Sequence, residues 1–220
     1  MLRSLDSLLN FTVHANDGEA SGLEDVCIDK STWDIRYLVL NTGNWLIGRA
    51  VLLSTRHLSG FDANAQKLDI DLSMADFEAS PELKSTTELT RAFEERLFKH
   101  FGWGPYWPAP ATAPTDEANE DASRSEPTFY TFQDIRGYEV VYGEQTLGWI
   151  KDVIYDDKTW KATSLIFDTG KTLREKIIEV KIERIIGADH EKKQFYTEMT
   201  RDEAENCEPF NLMALIQSQL

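Results

Sequence analysis

The chain has 220 residues, of which 38 are acidic and 23 basic, so its formal net charge is −15 at pH 7. A chain this acidic should repel nucleic acid and anionic membranes, which argues against both as partners. The chain has only two cysteines, Cys27 and Cys207, and its start lacks the apolar run typical of a signal peptide. No apolar stretch is long enough to span a membrane. Together these observations predict a cytoplasmic protein.

One segment of the sequence occurs twice, 127 positions apart. Asp25-Val26-x-x-Asp29-x-x-Thr32-Trp33 returns as Asp152-Val153-x-x-Asp156-x-x-Thr159-Trp160, and the match continues through Leu38, Thr42 and Gly43 to Leu165, Thr169 and Gly170. Repeats of this kind indicate a repeated structural unit. We therefore expect two barrels that pack separately and are related by a shift of 127 positions.

The first repeat shows the short apolar and alternating runs of a β domain. The predicted strands cover residues 11–14, 23–28, 33–40, 49–54 and 67–72, with a glycine turn at 18–22 and a further turn at Gly60. A capping box, Ser73-Met74-Ala75-Asp76, predicts a short closing helix.

The second repeat predicts the same elements in the same order. Its strands cover residues 138–142, 149–155, 160–167, 176–181 and 194–199, with a glycine turn at 143–148 and another at Gly187. The capping box Thr200-Arg201-Asp202-Glu203 follows, and residues 212–216 predict an amphipathic end helix. We assign residues 1–82 and 132–220 to the two repeats and residues 83–131 to the connection between them.

The connecting segment begins with a predicted helix. A capping box at residues 85–88 precedes an apolar stripe with a spacing of four, and Gly102 is the expected stop. The stripe consists of Leu89, Phe93, Leu97 and Phe101. Residues 110–127 are rich in Pro, Ala, Ser, Thr and acidic residues, which is typical of a solvated linker.

Between helix and linker lies the most unusual stretch, residues 101–108, in which half of the residues are aromatic and which has no counterpart in the second repeat. It either packs across the barrels as a strap or forms a partner-binding surface, because Trp and Tyr concentrate at interaction hot spots. The candidate partner-binding residues are Phe101, Trp103, Tyr106 and Trp107. An isologous homodimer would also bury this surface.

Each repeat resembles the PRC-barrel family, to which the cytoplasmic domain of the photosynthetic reaction-centre H subunit and the C-terminal domain of a bacterial ribosome-maturation factor belong. The resemblance rests on Gly18, Glu19, Gly22, Asp25, Val26 and Asp29, and again on Gly143, Glu144, Gly148, Asp152, Val153 and Asp156. It implies a bacterial, mainly β protein with two small six-stranded β-barrels in tandem, each with a short C-terminal helix, plus the inter-repeat helix.

The repeated polar and aromatic residues have structural explanations. Asp25, Asp29, Asp152 and Asp156 could form acid–base or metal sites, but aspartates more often close turns by accepting hydrogen bonds from backbone amides. Trp33 and Trp160 could stack on a ligand, but a tryptophan at the start of a core strand is more often a packing anchor. Gly43 and Gly170 complete this set of structural repeat positions.

The sequence contains no recognisable catalytic, metal or cofactor motif. The four histidines are scattered, with no zinc-ligand spacing, and no nucleophile elbow or phosphate-binding loop is found. We therefore expect no catalytic residues, metal or cofactor, and a protein that is not an enzyme.

The function that these observations favour is a scaffold or adaptor that binds another protein, related to the H-subunit domain and acting near an electron-transfer complex. Two alternatives remain: an assembly adaptor that binds a basic ribosomal protein, and a module that binds a small ligand such as a quinone. The acidic charge fits a basic protein partner, whose identity the sequence does not give.

Overall fold

The computed structural model describes residues 1–41, 50–81, 83, 89–107, 128–173 and 175–218. The fold is mainly β, with two seven-stranded sheets and a few short helices, which confirms the predicted fold class. The predicted linker at 110–127, the capping box at 85–88 and the repeat positions Thr42 and Gly43 lie outside the described residues.

Among the described residues, the first half of the chain supplies seven strands and three helices. They are β1 (Leu2–Ser4), α1 (Leu5–Leu8), β2 (Thr12–Ala15), β3 (Gly18–Asp29), β4 (Ile35–Asn41), β5 (Ala50–Ser54), β6 (Leu58–Asp62), β7 (Lys67–Ile70), α2 (Met74–Glu78) and α3 (Arg91–Phe101).

The second half repeats this series. Its elements are β8 (Phe129–Thr131), α4 (Phe132–Ile135), β9 (Glu139–Tyr142), β10 (Gln145–Asp156), β11 (Lys161–Asp168), β12 (Ile177–Lys181), β13 (Ile185–Asp189), β14 (Gln194–Thr197), α5 (Arg201–Asn206) and α6 (Leu212–Gln217).

The two sheets have the same topology. The strand orders are β5-β4-β3-β2-β7-β6 and β12-β11-β10-β9-β14-β13. Neighbours are antiparallel except at β2/β7 and β9/β14, which pair in parallel. The predicted shift of 127 positions therefore relates the two sheets strand by strand.

The first strand of each repeat lies in the sheet of the other repeat, which the sequence did not predict. Strand β1 pairs antiparallel with β10, with Leu2 opposite Asp156, and β8 pairs antiparallel with β3, with Phe129 opposite Asp29. The two pairings are equivalent under the shift of 127 positions. The repeats thus exchange strands around a pseudo-two-fold axis.

The prediction that the barrels pack separately is wrong, since one cluster of buried residues runs through both repeats. It includes Leu38 and Val26 from the first sheet together with Leu165 and Val153, their equivalents in the second. Because the exchanged strands tie each sheet to the other, the apolar faces of both sheets meet in a shared core.

The first predicted glycine turn is misplaced, and the second is present but shorter than predicted. The hairpin turns lie at Asn16-Asp17 and Gly143-Glu144, whereas Gly18, Gly22 and Gly148 lie within β3 and β10. Under the shift of 127 positions the equivalent of Gly143 is Asn16, so the two hairpin turns occupy equivalent positions and have the same length. Within β10 a Cβ on Gly148 would collide with the carbonyl oxygen of Asp168, which explains the glycine there.

Two further predicted turns are strands. Gly60 lies in β6 and Gly187 in β13, each at a shift in the register with the neighbouring strand. A glycine in a strand often marks such a bulge, and the sequence pattern alone does not distinguish it from a turn. Gly170, by contrast, has φ +47° in a single 3-10 turn after β11.

The two capping boxes predicted to begin the closing helices of the repeats are present, at the start of α2 (Ser73 with Asp76) and of α5 (Thr200 with Glu203). Helix α3 begins later than predicted, because Thr90 is its N-cap and accepts a hydrogen bond from the Phe93 amide. It ends as predicted at Gly102, which has φ +68°.

Candidate functional site

The repeated carboxylates Asp25 and Asp152 fasten the exchanged segments. Asp152 Oδ1 accepts hydrogen bonds from the amides of Val153 (2.8 Å) and Asp6 (3.1 Å), and Ser4 Oγ donates to its Oδ2 (2.5 Å). Asp25 Oδ1 likewise accepts from the amides of Val26 (2.7 Å) and Gln133 (3.0 Å). Contrary to prediction, these two aspartates hold a segment of the opposite repeat and do not close a turn.

Burial shifts the acidity of both carboxyl groups. Asp152 is 1 % exposed, and its removal from water raises its pKa to about 6 although three hydrogen bonds act in the opposite direction. Burial also raises the pKa of Asp25 above its ordinary value. Both groups are occupied by structural hydrogen bonds, which leaves them poorly placed to bind a ligand.

Asp29 and Asp156 do close turns. Asp29 Oδ1 accepts from the amides of Ser31 (2.9 Å) and Thr32 (3.1 Å), and Asp156 Oδ1 accepts from those of Lys158 (2.8 Å) and Thr159 (3.1 Å). The two amide hydrogen bonds hold the pKa of Asp156 below its ordinary value. For Asp29, burial acts to raise the pKa, but hydrogen bonds from Ser31 and Thr32 outweigh it and lower the pKa.

The backbone at Trp33 and Trp160 joins the repeats. Both residues have positive φ, +61° and +53°, and each precedes the strand that it was expected to begin. The Ile35 amide donates to the Trp160 carbonyl oxygen (2.7 Å), and the Ala162 amide donates to that of Trp33 (2.9 Å). These reciprocal bonds lie at the pseudo-two-fold axis.

The rings of the two tryptophans are partly buried and pack against the opposite repeat. Trp33 lies 5.7 Å from Tyr130 and 5.9 Å from Phe195 between ring centroids, and Trp160 lies 6.0 Å from Phe61. The tryptophans are therefore packing anchors between repeats, a direction of packing that sequence patterns do not encode.

The predicted partner-binding residues form one surface over the first sheet. Helix α3 covers the outer face of this sheet, and its buried residues pack with strand residues in a second apolar cluster, formed by Cys27, Tyr37, Val39, Leu52, Leu83, Leu89, Phe93, Leu97, Phe98 and Phe129. Phe101, Trp103, Tyr106 and Trp107 pack against this cluster and stay partly exposed. We call these four residues the aromatic platform.

Ring contacts hold the aromatic platform in place. Trp103 stacks on His57 with centroids 4.3 Å apart and planes inclined by 5°, and it meets the edge of Phe98 at 5.6 Å. Trp107 lies 4.9 Å from Phe98. The platform thus packs within its own chain, as the strap interpretation predicts, and still presents aromatic surface to solvent.

A buried carboxylate under the platform escaped the sequence analysis. Glu94 is 1 % exposed, and its Oε1 accepts hydrogen bonds from the hydroxyls of Tyr37 (2.5 Å) and Tyr106 (2.7 Å). Arg91 lies 2.8 Å from its Oε2. Burial together with Glu94 raises the pKa of Tyr106 to about 12 and that of Tyr37 further. A glutamate within a helix normally indicates a solvated face, so no signal pointed to this network.

Three guanidinium groups surround the ring of Tyr106. The Cζ atoms of Arg36, Arg91 and Arg56 lie 4.2, 5.2 and 5.5 Å from its centroid. Cations over an aromatic face are attracted by its quadrupole. The platform therefore combines aromatic rings with positive charge on an otherwise acidic chain.

Comparison with known proteins supports the resemblance for one half of the molecule. Residues 127–202 match the family model of the PRC-barrel domain. This match covers the second repeat, from just before β8 into α5, and the first repeat has the same strand order. No curated protein matches the chain. The second repeat is thus similar to a PRC-barrel domain, and the first repeat shares its sheet topology.

The structure also bears on two other classes of site. Across the described residues, no helix is both long and apolar enough to cross a membrane. In the same part of the chain, no group of three or more His, Cys, Asp or Glu side chains is arranged to hold a metal ion. Cys27 and Cys207 are free thiols, and burial raises the pKa of Cys27.

Proposed function

We propose that the protein is a non-enzymatic scaffold that binds another protein through the aromatic platform. The observation that carries this proposal is the ordered packing of Trp103, Tyr106 and Trp107, all of which stay partly exposed. Pre-ordered aromatic side chains lose little conformational entropy on binding, which favours affinity.

The chemistry of the platform suits a protein interface. Trp, Tyr and Arg are the residue types most enriched at binding hot spots, and here Arg56 and Arg91 lie beside Tyr106. Both arginines are exposed, so they can also reach a partner. The partner surface that fits is apolar at its centre and acidic at its rim.

The PRC-barrel match of residues 127–202 supports a small β module without naming its partner. The family resemblance favours one version of the scaffold proposal, a role near an electron-transfer complex like that of the H-subunit domain.

The second candidate is an adaptor for a basic ribosomal protein, favoured by the net charge of −15. It would use the acidic surface, whereas the arginine-ringed platform would repel a basic partner.

A retention experiment tests the platform. The wild-type protein and a Trp103→Ser/Trp107→Ser variant are immobilised, and proteins retained from an extract of the source cells are compared quantitatively. The matched control is Tyr142→Ser, which removes an aromatic side chain that is 39 % exposed on the second repeat. We expect specific partners to be lost from the double variant and retained by the control, while thermal melting verifies that all three proteins are folded.

Equal retention by wild type and double variant would overturn the proposal. Sedimentation of the purified protein shows whether the partner is a second copy, since a dimer that dissociates in the double variant would bury the platform against itself. Co-sedimentation with ribosomal subunits that is insensitive to the double substitution would instead support the ribosomal alternative.

A further inference from the structure

A cleft lies where the two repeats meet, and it borders the platform, because Arg36 and Arg56 of its lining also contact the Tyr106 ring. Its volume is about 490 Å³, within the range of small-molecule sites. The first repeat contributes β4, β6 and the turn before β6, and the second contributes the turn that ends at Trp160. Because both repeats form the walls, the cleft exists only in the assembled tandem.

One part of the cleft wall is apolar. Leu58, Phe61 and Trp160 line it and are all partly buried, and the rings of Phe61 and Trp160 meet edge to face with centroids 6.0 Å apart. Partly buried rings at a cleft wall offer a surface on which a planar ligand can pack. This wall favours a ligand with an aromatic or apolar body.

The other part of the cleft wall is cationic. Arg36, Arg56 and Lys158 all line it. Arg36 is already paired, with its Nη2 2.8 Å from Asp34 Oδ2 and its Nε 3.5 Å from Asp29 Oδ2. Arg56 and Lys158 are exposed and make no ion pair with any residue that the structure describes. Two positive charges without an ion-pair partner among the described residues therefore line the cleft, and the Arg56 guanidinium also lies over the Tyr106 ring.

The pseudo-two-fold axis provides an internal comparison. The equivalent of Arg56 is Glu183, that of Lys158 is Ser31 and that of Arg36 is Thr163. All three cationic positions are thus uncharged or acidic on the other side of the axis, where Lys161 replaces Asp34. The positive charge is a property of this one cleft and does not follow from the repeated fold.

We propose that this cleft binds a small organic anion, with its aromatic body against Trp160 and Phe61 and its carboxylate or phosphate group between Arg56 and Lys158. On a chain with a net charge of −15, two unpaired cations at one concave site give local attraction for an anion. The volume favours a free small molecule over a folded protein surface. The proposal does not rest on the scaffold function, although Arg56 borders both the cleft and the platform.

Fluorescence titration with anilinonaphthalene sulfonate tests the proposal, since this probe combines an aromatic body with one anionic group. We expect saturable binding that weakens as ionic strength rises. The double variant Arg56→Glu/Lys158→Glu should bind the probe at least about tenfold more weakly, because attraction at the anionic group becomes repulsion. The variant Lys151→Glu, a charge reversal at an exposed position outside the lining, should bind it as the wild type does.

Two further measurements sharpen the test. The uncharged analogue phenylnaphthylamine should bind wild type and double variant equally, because only the apolar wall contacts it. Hexaglutamate should fail to displace the sulfonate probe. If hexaglutamate displaces the probe at a lower concentration than free glutamate does, the cleft is a site for acidic peptides, and the proposal is overturned. Absence of probe binding, or equal binding by wild type and double variant at matched thermal stability, would also overturn it.

Discussion

Ser4 donates its hydroxyl to the carboxylate of Asp152 over 2.5 Å, although 148 positions separate the two residues in the chain. The bond links the end of the exchanged strand β1 to the middle of β10, and the bond from the Gln133 amide to Asp25 repeats the link in the other direction. The sheet of each repeat therefore receives one strand from the other repeat. The other repeat also supplies hydrogen-bond donors to a buried aspartate of that sheet.

The raised pKa of Asp152 makes stability depend on pH. Its folded pKa of about 6 lies above the ordinary value of 3.8, so between these values the folded protein holds a proton that the unfolded chain has released. The contribution of Asp152 to the free energy of unfolding is therefore fully present below about pH 4 and is lost as pH rises through about 6. The total loss is roughly 3 kcal/mol. Asp152→Asn cannot ionise, so its stability relative to wild type should rise over this window in urea melts.

The control for this prediction is Asp156→Asn. Amide hydrogen bonds lower the pKa of Asp156, so its charge stabilises the fold above the unfolded pKa, and this contribution is lost as pH falls through the folded pKa. The control should be less stable than wild type at pH 6, with a deficit that shrinks in acid. Parallel stability curves for Asp152→Asn and wild type would contradict the prediction.

Removal of residues 1–8 should damage the second repeat more than the first. Strand β1 pairs with β10 at Leu2, Arg3 and Ser4, so its loss leaves that edge of β10 without a partner. Hydrogen exchange followed by mass spectrometry should show faster exchange at residues 152–156, while the amides of β3 opposite β8 stay protected. Faster exchange confined to the first sheet would be inconsistent with the strand exchange.

Replacing Trp33 should destabilise the whole molecule. Trp33→Ala removes ring contacts with Tyr130 and Phe195, and we expect a loss of roughly 3 kcal/mol in one cooperative unfolding transition. Because Trp33 has φ +61°, Trp33→Gly should be more stable than Trp33→Ala by roughly 1 kcal/mol, the reverse of the usual order.

Trp149→Ala and Trp149→Gly are the control for this backbone effect, because Trp149 lies in strand β10. There glycine should be less stable than alanine, since an extended backbone offers glycine no conformational advantage. If the order of glycine and alanine is the same at both positions, the left-handed backbone at Trp33 has no energetic role.

Glu94 should anchor α3 and the platform. Glu94→Ala leaves the hydroxyls of Tyr37 and Tyr106 without their acceptor, and we expect a loss of roughly 2–4 kcal/mol. Glu94→Gln keeps an acceptor oxygen and the side-chain volume, so its loss should be smaller. Urea melts measure the stability, and tryptophan fluorescence should shift to longer wavelength in Glu94→Ala as Trp103 and Trp107 become more exposed. Equal stability of both variants and wild type would show that the network is not needed.

The fold class could be predicted from the sequence, because hydrophobic alternation and capping boxes are local signals. The relation between the two sheets could be predicted from the repeat that contains Asp25 and Asp152. The exchange of β1 and β8 could not be predicted, since three residues carry no measurable periodicity. Sequence order also does not say which sheet an end strand joins. For the same reason the sequence suggested two separate cores.

The candidate site was predicted in part. Aromatic density identified Trp103, Tyr106 and Trp107, which lie partly buried over the first sheet. No sequence pattern pointed to Glu94, because a glutamate within a helix is typical of a solvated face. The cationic cleft could not be predicted either, because Arg56 and Lys158 belong to different repeats and come to the same cleft only through the tertiary fold.

The strand exchange has a consequence for the origin of the molecule. A chain with one repeat would leave its first strand without a sheet, and two such chains could satisfy each other by swapping that strand around a true two-fold axis. Joining the copies in one polypeptide replaces a concentration-dependent encounter with an intramolecular one. It also frees the two halves to diverge, so that Arg56 and Glu183 can occupy equivalent positions with opposite charge.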